Sequence, residues 1–235
     1  PPDRRGVHVP VTAAPAGPGP TTVTLEDLVT RAAALADRGT RTVLGVVGAP
    51  GAGKSTLCTA LGEQLGERVV VVGMDGYHLD NEVLVALGRR DRKGAPDTFD
   101  VDGFVSLLRR LRAADEETTY AARFDRSLEL AIGSAVPVHR SVPLVVVEGN
   151  YLLCEDGGWE RVRPLLDETW YLDVPDDERV RRLVARRVSH GDDPDAARRW
   201  VHGVDESNAT VVVATRDRAD HLLHLVTDPR RDDGV

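Results

Sequence analysis

One eight-residue string limits what this chain can fold into more than any other feature. Gly48-Ala49-Pro50-Gly51-Ala52-Gly53-Lys54-Ser55 satisfies the pattern G-x-x-x-x-G-K-[ST] at every position. The β-branched run Thr42 to Val47 before it reads as a strand, and Ser55 to Leu65 after it has helical spacing. In a strand–loop–helix unit of this kind the glycines let backbone amides converge on a phosphate, and the helix start adds its positive end. Lys54 then neutralises the β and γ phosphates and Ser55 offers its hydroxyl to Mg²⁺, while Gly48 to Gly53 and Thr56 complete a nucleotide site for ATP. Lysine is scarce here, with Lys54 and Lys93 the two among 30 basic residues. A glycine-rich turn that merely joins strand to helix is the alternative, and the full pattern in its context weighs against it.

Further apolar runs follow at Val69 to Val72, Pro143 to Val147, Trp170 to Val174 and Leu222 to Val226. Between them lie helix-like stretches at Asp100 to Leu111, Asp176 to Val188 and Pro194 to Val213, and another, Thr24 to Arg38, precedes the first strand. Continuous rather than alternating runs belong to strands covered on both faces. The expected fold is therefore α/β: a three-layer phosphate-loop NTPase fold with a parallel sheet of about five strands, helices on both faces and a helical lid. Residues 1–20, with 6 of the 14 prolines, read as a flexible arm, and 21–235 as a single domain of a 235-residue, 25.5 kDa chain. Two segments near 77–98 and 120–142 lack clean periodicity and read as acceptor-site insertions at strand ends, with the lid near 181–200.

Composition narrows the partners. A formal charge of −8 argues against a surface built for phosphate backbones, so nucleic acid is not expected. Cys58 and Cys154 do not make a disulfide scaffold, which fits a reducing, cytoplasmic setting. The apolar runs are strand-sized, well short of the roughly 20 residues of a membrane helix.

A phosphate loop specifies a nucleotide but not a reaction. Asp75 follows the second apolar run directly and so falls at the carboxyl edge of the sheet beside the loop, where such folds do chemistry. A hydroxyl attacking a γ-phosphoryl needs a carboxylate to orient its O–H and take the proton. An ordinary Asp-Gly turn after a strand stands as the alternative for Asp75-Gly76. Glu148 ends the third run and would face the nucleotide edge; a surface glutamate is its alternative.

Five strings, Gly48 to Ser55, Met74 to Asn81, Arg92 to Asp100, Arg123 to Arg126 and Val147 to Leu152, occur in the order found in the uridine kinase, phosphoribulokinase and bacterial pantothenate kinase superfamily. The chain most resembles its fructose-transport-associated, nucleoside/nucleotide kinase-like branch, over roughly Thr42 to Val213. The resemblance implies a general-base role for Asp75, a Mg²⁺ or water-organising role for Glu148 beside Ser55, and acceptor contacts from His78, Lys93 and Arg126. Tyr77, Phe99, Arg123 and Asn150, on the same strings, join Asp75 and Glu148 in the candidate substrate set. Uridine kinases usually continue Ser-Phe-Tyr after the catalytic Asp, whereas Gly76-Tyr77-His78 stands here, closer to pantothenate and sugar-kinase-like relatives. Ala122 stands where relatives often carry Pro. Relatives often pair, so a homodimer is part of what the resemblance implies.

Arg182 and Arg186 share a helix face, and similar kinases carry a lid of arginines here that closes over the phosphates. Arg182 is the candidate nucleotide contact and Arg186 the candidate catalytic one, against the alternative of a solvated helix. Asp205 and Asn208 resemble the adenine-side or lid-hinge segment of relatives; an ordinary helix surface is the alternative. His190, His202, His221 and His224 have no helical metal spacing and read as surface or structural. The expected activity is transfer of the γ-phosphoryl of ATP to a hydroxyl of a small molecule, a sugar or sugar-like polyol, with nucleoside or pantothenate as alternative acceptors. A non-kinase ATPase or nucleotide-binding module is the alternative from another class. A guanine-reading Asn-Lys-x-Asp segment is absent, since neither lysine follows an asparagine.

Overall fold

The strand that enters the phosphate loop, β2 (Thr42–Val47), is buried along its whole length. Its side chains alternate between two covered faces, as the pleat requires. Leu44 and Val46 pack on one side with Leu28, Ala32 and Leu35 of α1 (Leu25–Ala36) and Leu57 and Leu61 of α2 (Lys54–Leu65). Val43 and Val47 belong to the other side, with Phe104, Leu107, Leu108 and Leu111 of α4 (Val101–Ala113). The computed structural model describes residues 19–189 and 191–226, so most of the expected arm and His190 lie outside the described residues.

Six parallel strands make the sheet. With β1 (Thr21–Val23), β3 (Val69–Gly73), β6 (Leu144–Gly149), β7 (Glu168–Leu172) and β8 (His221–Leu225), the order is β1-β8-β7-β2-β6-β3. The strand beyond the five expected is β1, three residues at the edge of the sheet, too short for any period to register. Register fixes the working edge: Glu148 of β6 lies across from Val46 of β2 and Gly73 of β3, so all three strands end level with the phosphate loop. At the opposite end of β7 the buried Glu168 accepts from Arg31, Arg38 and the Trp170 indole, which ties α1 beneath the sheet.

The two segments without clean periodicity take defined shapes. Residues 120–142 form most of an antiparallel pair, β4 (Thr118–Asp125) and β5 (Leu130–His139), separate from the main sheet. Within 77–98 the chain makes α3 (Asn81–Ala86) and short 3-10 turns. The helical stretch 194–213 is broken: α6 (Pro194–Trp200) and α7 (Glu206–Val213) flank a π turn, Val201–Asp205, that contains Gly203, the poorest helix former after proline. α5 (Asp176–Ser189) precedes them beside the phosphate loop. No helix among the described residues is long and apolar enough to cross a membrane.

The antiparallel pair reaches the active edge at one tight point. The 3-10 turn Met74–Tyr77, which follows β3, passes so near β4 that a Cβ on Gly76 would lie 2.5 Å from the Ala122 carbonyl oxygen. The glycine of Asp75-Gly76 is thus required by this close approach of two backbones. Gly76→Ala should cost about 1–3 kcal/mol, the range for overpacking against rigid neighbours. A urea midpoint equal to the parent's would contradict this contact.

Candidate active site

The phosphate loop holds its shape through three glycines with positive φ, Gly48 at 157°, Gly51 at 84° and Gly53 at 89°. At Gly51 a Cβ would also lie 2.8 Å from the Arg179 carbonyl of α5. Lys54 opens α2 and is 7% exposed. Its Nζ donates to the carbonyls of Gly48 (2.8 Å) and Ala49 (3.3 Å) and to Asn150 Oδ1 (2.7 Å). Burial pushes its pKa down, and the charges of Glu148 and Asp75 oppose that. The Glu148 carboxyl is pushed up by burial, with Lys54 as the main opposing charge.

A cleft of about 1100 Å³ runs along this edge. Pro50 to Thr56, Asp75, His78, Lys93, Phe99, Arg126, Glu148 and Asn150 all line it, as do Arg182 and Arg186 of α5 and Asp205 and Asn208. Gly48 and Ala49 sit just beneath, lending their carbonyls to Lys54. Two candidates fall outside it: Tyr77 turns its ring to Phe104, at 5.2 Å between centroids, and Arg123 is exposed on β4. Arg126 Nη2 stands 3.6 Å from Asp75 Oδ2. Arg182 pairs with Glu178, and Arg186 lies where Arg126, Asp205 and Asp75 act on its charge.

The acceptor-side loop is fixed from outside the cleft. Tyr151 donates its hydroxyl to the Gly94 carbonyl, and the Trp159 indole donates to Pro96 O at 3.1 Å. Phe99 meets both rings edge-on at 5.8 and 5.7 Å. His78 stacks against Phe99 (4.0 Å) and Phe124 (5.0 Å), and its Nδ1 donates to the Asp75 carbonyl at 2.9 Å. Lys93 donates to Asn81 Oδ1 and Glu129 O, 2.7 and 2.8 Å away, binding this loop to the tip of the antiparallel pair. No signal in the sequence marks these two hydrogen bonds, because the acceptors of Tyr151 and Trp159 lie more than fifty residues away along the chain.

Fold and cleft define a P-loop nucleotide-binding protein: a phosphate loop at the carboxyl edge of a parallel sheet, with carboxylates of neighbouring strands converging on it. The comparisons extend this to a family. The chain is 30% identical over 185 residues to the uridine kinase of Chlamydia pneumoniae, covering 77% of this chain and 81% of that one. It is 34% identical over 152 residues to the ATP-dependent kinase-like protein notR' of Aspergillus versicolor, 61% of this chain and 88% of that protein. A crystal structure from Silicibacter sp. TM1040, described as a "putative fructose transport system kinase", superposes with a TM-score of 0.74 at 36% identity, over 88% of this chain and 100% of that one. Residues 20–78 match the family described as Methylmalonyl Co-A mutase-associated GTPase MeaB, a stretch that contains the phosphate loop and Asp75. The chain belongs to the uridine kinase and pantothenate kinase-like family of P-loop kinases, and is an ATP-using phosphotransferase.

Two outcomes follow from the site's electrostatics. Lys54→Ala removes the buried cation from the phosphate loop and should weaken ATP binding roughly 10- to 100-fold, the worth of a hydrogen bond to a charged group; unchanged binding by calorimetry in a folded variant would refute the assignment. For His78, burial is the largest cause of a lowered pKa. Below about pH 6.5, the ordinary histidine value, the unfolded chain takes up a proton that the folded one refuses, so stability falls as the pH drops. His78→Gln should therefore lose less stability than the parent between pH 7.5 and 5.5, read from urea midpoints, and equal losses would contradict an imidazole held neutral by its partly buried setting.

Proposed function

We propose that the protein transfers the γ-phosphoryl group of ATP, with Mg²⁺, to a hydroxyl of a small sugar or sugar-like polyol. One observation carries the reading: Asp75 lies in the same cleft as Lys54 and Glu148, at the end of β3, with the polar residues His78, Lys93, Arg126 and Asp205 around it. In this reading Asp75 orients the acceptor O–H and takes its proton as the new O–P bond forms and the bond from the γ-phosphorus to the bridging oxygen breaks, releasing ADP. Lys54 neutralises phosphate charge; Arg182 and Arg186 reach the transferring group from α5.

The Ser55 hydroxyl and Glu148 carboxylate are hard oxygen donors in one cleft. They suit Mg²⁺, which takes one or two protein oxygens together with phosphates and waters. Among the described residues no group of three His, Cys, Asp or Glu forms a cage that would hold a metal by itself. When bound with the nucleotide, the ion supplies neutralisation of the triphosphate.

The choice of acceptor rests on what the aromatic rings do. Phe99, Tyr151 and Trp159 are buried against one another, and His78 packs on Phe99 and Phe124, so these rings are engaged in packing rather than paired around a slot for a flat base. Hydroxyl-rich ligands match the charged and amide groups left at this end. The name of the Silicibacter relative agrees with a sugar.

The decisive variant is Asp75→Asn, which keeps size and turn-forming ability but cannot take the proton. Turnover of a sugar or polyol found in a coupled ADP-release panel should fall by about 10²- to 10⁴-fold with ATP affinity nearly unchanged. Turnover within about threefold of the parent, well short of the general-base range, would remove Asp75 from the mechanism. A panel in which uridine or pantothenate, and no sugar or polyol, stimulates ADP release would replace the acceptor class.

A further inference from the structure

An arginine that no catalytic role requires is buried where the phosphate loop, α5 and α7 meet. Arg179 is 2% exposed. Its Nη1 donates to the Pro50 carbonyl of the phosphate loop at 3.0 Å. Nε and Nη2 donate to Asp176 Oδ1 at 3.2 and 2.8 Å, and Nη2 also donates to Glu206 Oε1 at 2.9 Å. The contact continues in the backbone, since the Arg179 carbonyl faces Gly51 so closely that a Cβ there would sit 2.8 Å away. The first turn of α5 therefore rests directly on the loop that faces the nucleotide.

The other end of this network reaches the acceptor side. Glu206 opens α7, directly after the π turn Val201–Asp205. Asp205 and the buried Asn208 line the cleft, and the Asn208 amide stands 3.7 Å from where a Gly94 side chain would begin, next to Lys93. A planar guanidinium has a fixed fork, so its partners are held at fixed relative positions. The guanidinium of Arg179 is buried while Glu206 is partly exposed, so a shift of the Pro50 carbonyl that left the guanidinium unmatched would be costly, and a matching shift at Glu206 avoids that cost. The π turn, an uncommon and adaptable stretch of helix, is the element that can take up such a shift.

We propose that Arg179 is a positioning residue that couples occupancy of the phosphate loop to the conformation of the Asp205–Asn208 segment, so that ATP and the acceptor bind cooperatively. The proposal rests on the reading of the cleft given above. Coupling of this kind is reciprocal: whatever the nucleotide does to the acceptor segment, an acceptor does to the loop.

Hydrogen–deuterium exchange with and without adenylyl imidodiphosphate and Mg²⁺ tests this without knowledge of the acceptor. In the parent the analogue should slow exchange in residues 48–56 and, by at least about threefold, in 201–213. Glu206→Ala cuts the arm to α7 alone; protection at 48–56 should remain while the response at 201–213 disappears. Asp176→Ala removes the other carboxylate of the same guanidinium, on α5 itself, and should keep both responses, which a merely structural arginine would not distinguish. A folded Arg179→Lys should behave as Glu206→Ala does, because an ammonium lacks the fork. The coupling is overturned if 201–213 does not respond in the parent, if Glu206→Ala keeps that response or loses protection at 48–56, or if Asp176→Ala loses the response at 201–213. Absence of protection at 48–56 in the parent would instead defeat the nucleotide site itself, and the coupling with it.

Discussion

A lysine ammonium brought to 7% exposure must be surrounded by oxygen, and the active edge is arranged around that demand. Lys54 meets it with two carbonyls of its own loop and the amide oxygen of Asn150. The loop can present those carbonyls only because Gly48, Gly51 and Gly53 adopt positive φ, and Asn150 is in reach only because β6 lies beside β2 in register. Glu148 and Asp75 then sit within the field of the same cation. Loop conformation, sheet order and carboxylate placement therefore all converge on one buried charge, and each is needed to accommodate it.

Around that centre the segment after β6 does two things at once. Glu148 and Asn150 face the cleft, while Tyr151 and Trp159 reach behind it to hold the carbonyls of Gly94 and Pro96. A single stretch of chain thus sets both the cation and the acceptor-side loop, and the aromatic cluster of Phe99, Tyr151 and Trp159 makes the connection stiff.

What could be read from the sequence was what is local. The phosphate loop, the central strands and the position of Asp75 each rest on neighbouring residues, and the structure has them where the pattern predicts. Asn150 was legible as a cleft residue, yet its bond to Lys54 depends on strand order, which no short window carries. The antiparallel pair escaped because the residues β4 buries, Thr119 and Ala121, are small or polar and β5 is mostly exposed, with Val138 buried, so no strong alternation of large apolar and polar residues marks it. Tyr77 was read with the acceptor residues because it adjoins Asp75, but the 3-10 turn sends its ring to Phe104. Arg179 was one of many arginines on a charged helix, and its singular burial depends on Pro50 and Glu206, distant in sequence on either side.

The sheet order has a consequence for how the chain comes into being. β2 is hydrogen-bonded on one side to β6 and on the other to β7, both made more than a hundred residues after it. On a growing chain the strand that feeds the phosphate loop has no hydrogen-bonded neighbour in the sheet until β6 has been made, so its backbone edges wait unpaired while α1 and α2 can already cover one of its faces. A nucleotide that binds the folded phosphate loop stabilises only those states in which the loop has already formed, so its help comes after the distant partners of β2 have joined the sheet.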